Sequence, residues 1–310
     1  MSGPLFAQET DSEQEIRKIS PSVTTSSLSN STQDEIIRIA IFDTGFCPSL
    51  IEQNPHFQIE PVKDFTQSNT YKCIPGKLKG FRFHGHRILE YLEKELKVNS
   101  EEENPNKSQL ANKEASQRTP LHPKIRIYPY ILFNHKGDQS LEYWKIALKQ
   151  LRADKINMAV MAVGLPAKKE NINSLVKSAQ NFKGFFLMAS GQKDIRLNLK
   201  YGLFPQSKKE ELLGLMLGQY YPALASSEVA LLPPAQLHSR KSDFFFKVNS
   251  FNQLKNTSLA VTQALGLIIK QCSYGEIVNF SKVSACLEKI SSQTSAKLPS
   301  GKIIPIKALP

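Results

Sequence analysis

The chain has 310 residues, 40% of them hydrophobic, which is enough to bury one large core or two smaller ones. No segment has the roughly 18 consecutive apolar residues of a membrane-spanning helix, and no signal peptide is visible at the start. A cytoplasmic location is expected, or a secreted one if a signal was removed before residue 1. The net charge of +12 comes from dispersed lysines and does not favour a nucleic-acid partner.

The four cysteines, Cys47, Cys73, Cys272 and Cys286, are scattered along the chain and form no Cys-x-x-Cys pair. Their spacing argues against a zinc site and against a dense disulfide framework. We therefore expect all four side chains to be reduced thiols.

Two stretches are predicted to lie outside the packed core. Residues 1–33 are rich in Ser, Thr, Gln and Glu, which predicts a disordered tail ahead of a single domain at 34–310. Residues 98–123 are polar and contain proline, which predicts a surface insertion within that domain.

Strand and helix patterns alternate along the rest of the domain. Short apolar runs predict strands at 36–43, 124–133, 156–164, 184–190, 226–234 and 243–249. Helical periodicity predicts helices at 84–97, 141–152, 174–182, 258–270 and 279–290, and residues 300–309 form a short closing extension. This alternation predicts an α/β fold with a doubly wound, mostly parallel central sheet and helices on both faces.

Three polar residues stand at the ends or starts of these apolar elements. Asp43 leaves the first strand, His84 opens the first helix, and Ser258 opens a helix that is apolar on nearly every side. Because sites in such folds form beyond the carboxyl ends of the strands, Asp43, the Ser190-Gly191-Gln192 turn and the stretch leading to Ser258 are expected at one edge. Ser258 has two interpretations, as part of a helix cap or as a nucleophile that His84 deprotonates and Asp43 supports.

The segments around these residues resemble the motifs of the subtilases, the subtilisin-like serine peptidases. Asp43-Thr44-Gly45 matches the first motif, and His84-Gly85 matches the start of the second. Asn256-Thr257-Ser258-Leu259-Ala260 aligns with the third, with Gly266 on its later glycine. Further similarity is found in Met161–Gly164, Ala189–Gln192 and Leu232-Pro233-Pro234.

The resemblance implies a serine endopeptidase that hydrolyses peptide or protein substrates through an acyl-enzyme. It makes Ser258 the nucleophile, His84 the general base and Asp43 the residue that orients His84. Gln192 and the backbone N–H of Ser258 would form the oxyanion hole. The substrate backbone would lie between two segments, Ala162, Val163 and Gly164 on one side and Ala189, Ser190 and Gly191 on the other.

Several departures from the family pattern keep alternatives open. Gln192 stands where the family has Asn, and its longer side chain must still reach the oxyanion. His86 lies on the same helix as His84 and is the alternative base. These changes motivate a second interpretation, a weakly active or inactive subtilase fold that binds peptides or proteins. No metal or other cofactor is expected; calcium is possible in principle, but no cluster of loop carboxylates indicates it.

Overall fold

The computed structural model describes residues 36–51, 57–68, 73–75, 77–78, 80–97, 124–166, 168–191, 203–222, 230–232, 241–248, 257–298 and 300–310. The predicted tail at 1–33, the predicted insertion at 98–123 and the predicted oxyanion donor Gln192 lie outside the described residues. Residues Asp34–Pro310 form one compact unit.

Strands and helices alternate through most of this unit. The strands are β1 (Ile36–Asp43), β2 (Phe57–Ile59), β3 (Lys63–Asp64), β4 (Lys124–Ile131), β5 (Met158–Met161), β6 (Leu165–Pro166), β7 (Phe185–Ala189), β8 (Leu203–Phe204), β9 (Gly214–Tyr220), β10 (Ala230–Leu231), β11 (Phe244–Lys247), β12 (Ser292–Lys297) and β13 (Ile303–Leu309). The α-helices are α1 (His84–Lys97), α2 (Leu141–Ala153), α3 (Lys169–Ala179), α4 (Thr257–Gln271), α5 (Tyr274–Ile277) and α6 (Phe280–Ile290).

Eleven of the described strands form one sheet, in the order β10-β12-β13-β11-β9-β7-β5-β1-β4-β2, with β3 also paired to β4. The neighbouring strands described are parallel except β12 and β13, which form an antiparallel hairpin. The predicted α/β fold with a mostly parallel, doubly wound sheet is confirmed. Strands β6 and β8 form a separate antiparallel pair beside it.

Side chains of β1 alternate between two cores because successive residues of a strand point to opposite faces. Ile39 and Ile41 belong to the core that includes residues of α1, α4 and α6. Phe42 belongs to the core that includes Trp144 of α2 and Leu175 of α3. Helices therefore cover both faces, and β1 is buried between them.

Strands β2, β3, β6, β8, β9 and β12 lie outside the predicted strand segments, and β9 and β12 are the longest of them. Strand β9 has the apolar sequence GLMLGQY, whose two glycines obscure a strand pattern, and it pairs with β7 and β11. Strand β12 has the polar sequence SQTSAK, and it is a strand because β13 supplies a hairpin partner over six residue pairs. Pairing with a neighbour, which is a tertiary property, decides both cases.

The cysteine prediction was wrong, because the cysteines are paired rather than reduced. Cys47 is bonded to Cys73 and Cys272 to Cys286, with Cα–Cα distances of 5.6 and 6.0 Å. The first bond joins two loops that precede α1, and the second joins the end of α4 to α6. Sequence spacing did not indicate these pairs because the folded chain brings the partners together.

Within the described ranges, no helix is both long enough and apolar enough to cross a membrane.

A partly buried polar cluster around Asp154 connects the end of α2 to β3 and β4. Lys63 Nζ lies 2.6 Å from both Asp154 carboxylate oxygens, and Tyr130 Oη and Gln150 Nε2 also donate to this carboxylate. Burial by itself raises the pKa of Asp154, but the hydrogen bonds from Lys63, Tyr130 and Gln150 outweigh it and hold the pKa below its usual value. Burial also raises the pKa of Tyr130, so the phenol stays a donor.

We expect Asp154→Asn to lower the free energy of unfolding by about 2 kcal/mol at pH 7, because it removes charge-assisted hydrogen bonds. A pKa lowered by folding stabilises the protein above the unfolded-state pKa, and this contribution is lost as pH falls through the folded-state pKa. The difference between the two proteins should therefore shrink below about pH 4. Urea unfolding of both proteins at pH 7 and pH 3 measures this difference in the free energy of unfolding. A difference that grows at low pH would contradict a stabilising role for the ionised Asp154 carboxylate.

Candidate active site

The site lies at the carboxyl ends of three adjacent parallel strands. Phe42 of β1 pairs with Met161 of β5, and Met161 pairs with Met188 of β7. The next residues along these strands, Asp43, Ala162 and Ala189, therefore follow one another across a single edge of the sheet. Asp43 and one residue from each of the two predicted substrate-binding segments are thus gathered where parallel sheets form their sites.

Asp43 and His84 form a buried hydrogen-bonded pair. His84 Nδ1 lies 2.8 Å from both carboxylate oxygens of Asp43, which is fully buried. The backbone N–H of Thr44 also donates to Asp43 Oδ1 at 2.7 Å. Since an ionised carboxylate only accepts, Nδ1 carries the proton in the neutral imidazole and Nε2 is left as its basic atom.

Thr44 fixes the start of α1 beside Asp43. Its Oγ1 accepts the backbone N–H of His84 at 2.9 Å, which satisfies one of the free donors of the first helical turn. The loop after β1 is tied to the same turn by the bond from His86 N to Gly45 O at 3.1 Å. A Cβ on Gly85 would lie 2.6 Å from the Phe46 ring, so glycine is needed for this close approach.

His86, the alternative base, lies in a different environment. It is almost fully buried, and its Nε2 is 3.5 Å from Glu90 Oε1, one turn further along α1. Burial lowers the pKa of His86, and the Glu90 carboxylate only partly opposes this effect. In the described part of the chain its Nδ1 is buried without a hydrogen-bond partner. The Asp43 carboxylate contacts His84, which favours His84 as the base.

Ser258 is the second residue of α4, the helix predicted from its long apolar run. The helix packs into the same core as α1, and its buried residues include Val261, Leu265 and Ile268. Ser258 is buried, and its Oγ donates to the carbonyl of Ala162 at 3.0 Å. Its hydroxyl therefore lies at the edge that carries Asp43, at the positive end of a helix dipole.

The two predicted substrate-binding segments flank this edge. Ala162 is buried, while Val163 and Gly164 are half-buried in an irregular stretch between β5 and β6. Ala189 and Ser190 are buried, and Ser190 N donates to Leu217 O of β9 at 2.9 Å. Gly191 has a φ of +77°, a left-handed conformation that favours glycine at this turn.

Three residues that contact this site were not predicted to have a role in it. Thr44 orients the first turn of α1, and Gln139 and Gln206 donate to carbonyls of the segment 162–164. Thr44 belongs to the Asp43-Thr44-Gly45 motif, so the sequence did contain a signal for this residue. Gln139 and Gln206 stand in polar stretches with no distinguishing pattern, and only the folded chain brings them to the site.

No protein-family model matches this chain, and no curated protein has a significant sequence match to it. Among the described residues, no group of three or more His, Cys, Asp or Glu side chains is arranged to hold a metal ion.

Proposed function

We propose that the protein is a serine endopeptidase in which Asp43, His84 and Ser258 act as a catalytic triad. The observation that carries this proposal is the buried hydrogen bond between Asp43 and His84 Nδ1, at the sheet edge where the Ser258 hydroxyl lies. In a catalytic triad, a buried carboxylate fixes the tautomer of the imidazole and orients its other nitrogen as the general base. The resemblance to subtilases in motif order supports the same assignment.

In the proposed reaction His84 Nε2 takes the proton of Ser258 Oγ as that oxygen attacks the substrate carbonyl. The hydroxyl must first leave the Ala162 carbonyl, to which it donates at 3.0 Å. His84 then gives the proton to the leaving amine, and water hydrolyses the acyl-enzyme by the same steps in reverse order. The Ser258 N–H and the Gln192 amide are the proposed donors to the oxyanion.

The proposed substrate is an extended peptide that lies between the segments 162–164 and 189–191. Extended peptides bind by adding main-chain hydrogen bonds to exposed strand ends, with side-chain pockets for specificity. The half-buried backbone of Val163 and Gly164 suits this mode, since it follows directly from β5.

Cleavage of fluorescein-labelled casein tests the proposal. Ser258→Ala should lower turnover by at least about 10⁴-fold. Ser178→Ala is the matched control, because Ser178 Oγ also donates to a backbone carbonyl at 3.0 Å but lies in α3. Casein cleavage that Ser258→Ala leaves unchanged would overturn the triad assignment.

One observation favours a second candidate, a peptide- or protein-binding module without turnover. The Ser258 hydroxyl donates to the Ala162 carbonyl, which is a structural role that requires no catalysis. This candidate predicts casein binding in the low micromolar range without cleavage. Ser258-dependent cleavage would exclude it.

The two disulfides bear on where the protein acts. Disulfides form and persist in oxidising compartments and are rare in the reducing cytosol. We infer that the protein matures outside the cytosol. Blocking the thiols of freshly lysed cells with an alkylating agent, followed by mass measurement, should find all four cysteines unmodified; full alkylation would contradict this location.

A further inference from the structure

Side chains from three distant parts of the chain hold the segment 162–164. Each donates a hydrogen bond to one of three successive backbone carbonyls. The bonds run from Ser258 Oγ to Ala162 O at 3.0 Å, from Gln206 Nε2 to Val163 O at 3.4 Å, and from Gln139 Nε2 to Gly164 O at 3.3 Å. The segment is irregular, so these donors fix carbonyls that a strand partner would otherwise hold.

Gln206 lies directly against this segment. It begins a short 3-10 helix (Gln206–Lys208) just after β8, and it is only 1% exposed. A Cβ on Gly164 would lie 2.8 Å from Gln206 Oε1, so glycine permits the contact. That Oε1 is buried with no hydrogen-bond partner among the described residues.

A second hydrogen bond, from Trp144, holds the side chain of Gln139. Its Oε1 accepts the indole N–H of Trp144 at 3.0 Å, and Trp144 is fully buried in the core below α2. Gln139 is therefore anchored to the body of the domain. The two glutamines therefore hydrogen-bond to the segment 162–164 next to the Ala162 carbonyl that Ser258 contacts.

We propose that Gln206 is a positioning residue, which holds the backbone of Val163 and Gly164 in the conformation that binds an extended peptide. This inference rests on the proposed function. A buried amide with an unsatisfied acceptor destabilises a protein, and an apolar side chain of similar size would avoid that cost. The presence of this amide beside the proposed peptide-binding backbone is explained if its N–H is needed to hold the Val163 carbonyl.

The test replaces Gln206 by Met, which keeps the approximate volume and removes the amide. Gln206→Met should raise KM for fluorescein-labelled casein about 3- to 10-fold and leave kcat within about twofold. Labelling of Ser258 by a small fluorophosphonate should be unchanged, since that reagent does not need the segment. Gln150→Met is the matched control, because Gln150 donates to Asp154 in the cluster beside β3.

Each outcome separates this inference from the proposed function. An unchanged KM in a folded Gln206→Met protein would overturn the positioning role while the triad stands. If Gln206→Met fails to fold, Gln139→Met must show the same rise in KM. If the unmodified protein neither labels nor cleaves, the triad fails, and Gln206→Met must still weaken casein binding for the positioning role to survive.

A second and independent observation concerns the disulfide between Cys47 and Cys73. Cys73 is exposed and Cys47 is fully buried, whereas both Cys272 and Cys286 are buried. A thiol in solution therefore reaches a sulfur of the first disulfide more readily than the second.

Cys47 of the first disulfide lies in the loop that follows Asp43, and this loop packs against the start of α1, which carries His84. Cys47 follows Phe46, whose ring contacts the helix start at Gly85. The same loop is bonded to the segment before α1, where Gly45 N donates to Arg82 O at 2.8 Å. The crosslink thus adds a covalent tie between the loop that follows Asp43 and the segment that leads into α1.

We infer that the Cys47–Cys73 bond is a redox switch for the Asp43 and His84 pair, with a dithiol as the reductant. One thiolate of the dithiol attacks the exposed Cys73 sulfur, the sulfur–sulfur bond breaks, and Cys47 leaves as a thiolate that takes a proton. The second thiol of the reductant then displaces Cys73 from the mixed disulfide. The products are two cysteine thiols and an oxidised reductant, and the loop after Asp43 loses its covalent tie to the segment before α1. The assignment of His84 as base belongs to the proposed function, on which this inference rests.

Graded dithiothreitol treatment followed by alkylation and mass spectrometry tests the switch. Cys47 and Cys73 should be alkylated before Cys272 and Cys286, and fluorophosphonate labelling should slow at least about fivefold in step with them. The Cys47→Ser/Cys73→Ser protein should label slowly at every dithiothreitol concentration. The Cys272→Ser/Cys286→Ser protein is the control and should keep the response.

A labelling rate that is unchanged after complete reduction of Cys47 and Cys73 would overturn the switch. If even the oxidised protein does not label, the proposed function fails, and the imidazole ¹⁵N resonances of His84 give the readout. Reduction must then shift the Nδ1 resonance, because the hydrogen bond to Asp43 loosens. If reduction leaves the Nδ1 resonance unshifted, the inference is wrong.

Discussion

Asp43→Asn is expected to lower kcat for casein by about 10⁴-fold with little change in KM. The Asp43 carboxylate accepts from His84 Nδ1 at 2.8 Å and is fully buried. An asparagine amide can turn its NH₂ group toward Nδ1 and favour the tautomer with the proton on Nε2. Nε2 would then be unable to take the proton of Ser258, so the loss falls on turnover rather than on binding.

The same variant should keep its fold, because Asn has nearly the same volume and can still accept from the Thr44 N–H. Circular dichroism and the unfolding midpoint provide this control. A decrease in kcat of less than tenfold in a folded protein would show that Asp43 has no orienting role.

His84→Ala and His86→Leu are expected to differ by several orders of magnitude. His84→Ala should lower kcat by about 10⁶-fold, the loss typical of a triad without its base. His86→Leu should change kcat less than about tenfold, since His86 contacts Glu90 rather than Asp43. Active-site titration corrects for any unfolded fraction, because His86 is buried and its loss also affects stability.

The reverse order of effects would make His86 the base. In that case the bond between His84 and Asp43 would be a structural contact at the start of α1. The comparison therefore decides between the two histidines of the motif, which the sequence left open.

The sequence predicted the parts of the fold that depend on local apolar patterns. The alternation of strands and amphipathic helices indicated a mostly parallel sheet, and β1, β4, β5 and β7 lie within the predicted strand segments. Strand β12 was not predicted, because its polar residues form a strand only through the ladder with β13. The disulfides were not predicted for a similar reason, since each joins cysteines that the fold brings together.

The site shows the same division. Asp43, His84 and Ser258 could be chosen from the sequence because strand ends and helix starts are recognisable, and parallel topology places them at one edge. Gln206 could not be chosen, because its bond to the Val163 carbonyl depends on the turn after β8. The hydrogen-bond partner of the Ser258 hydroxyl could not be predicted from the sequence either, because Ala162 is 96 residues away along the chain.

The most direct test of the proposed triad is covalent labelling with a fluorophosphonate, with the modified residue located by peptide mass spectrometry. The triad predicts one adduct, on Ser258, that forms in the unmodified protein and is lost in His84→Ala and strongly reduced in Asp43→Asn. No adduct, an adduct on another serine, or labelling that does not depend on His84 would contradict it.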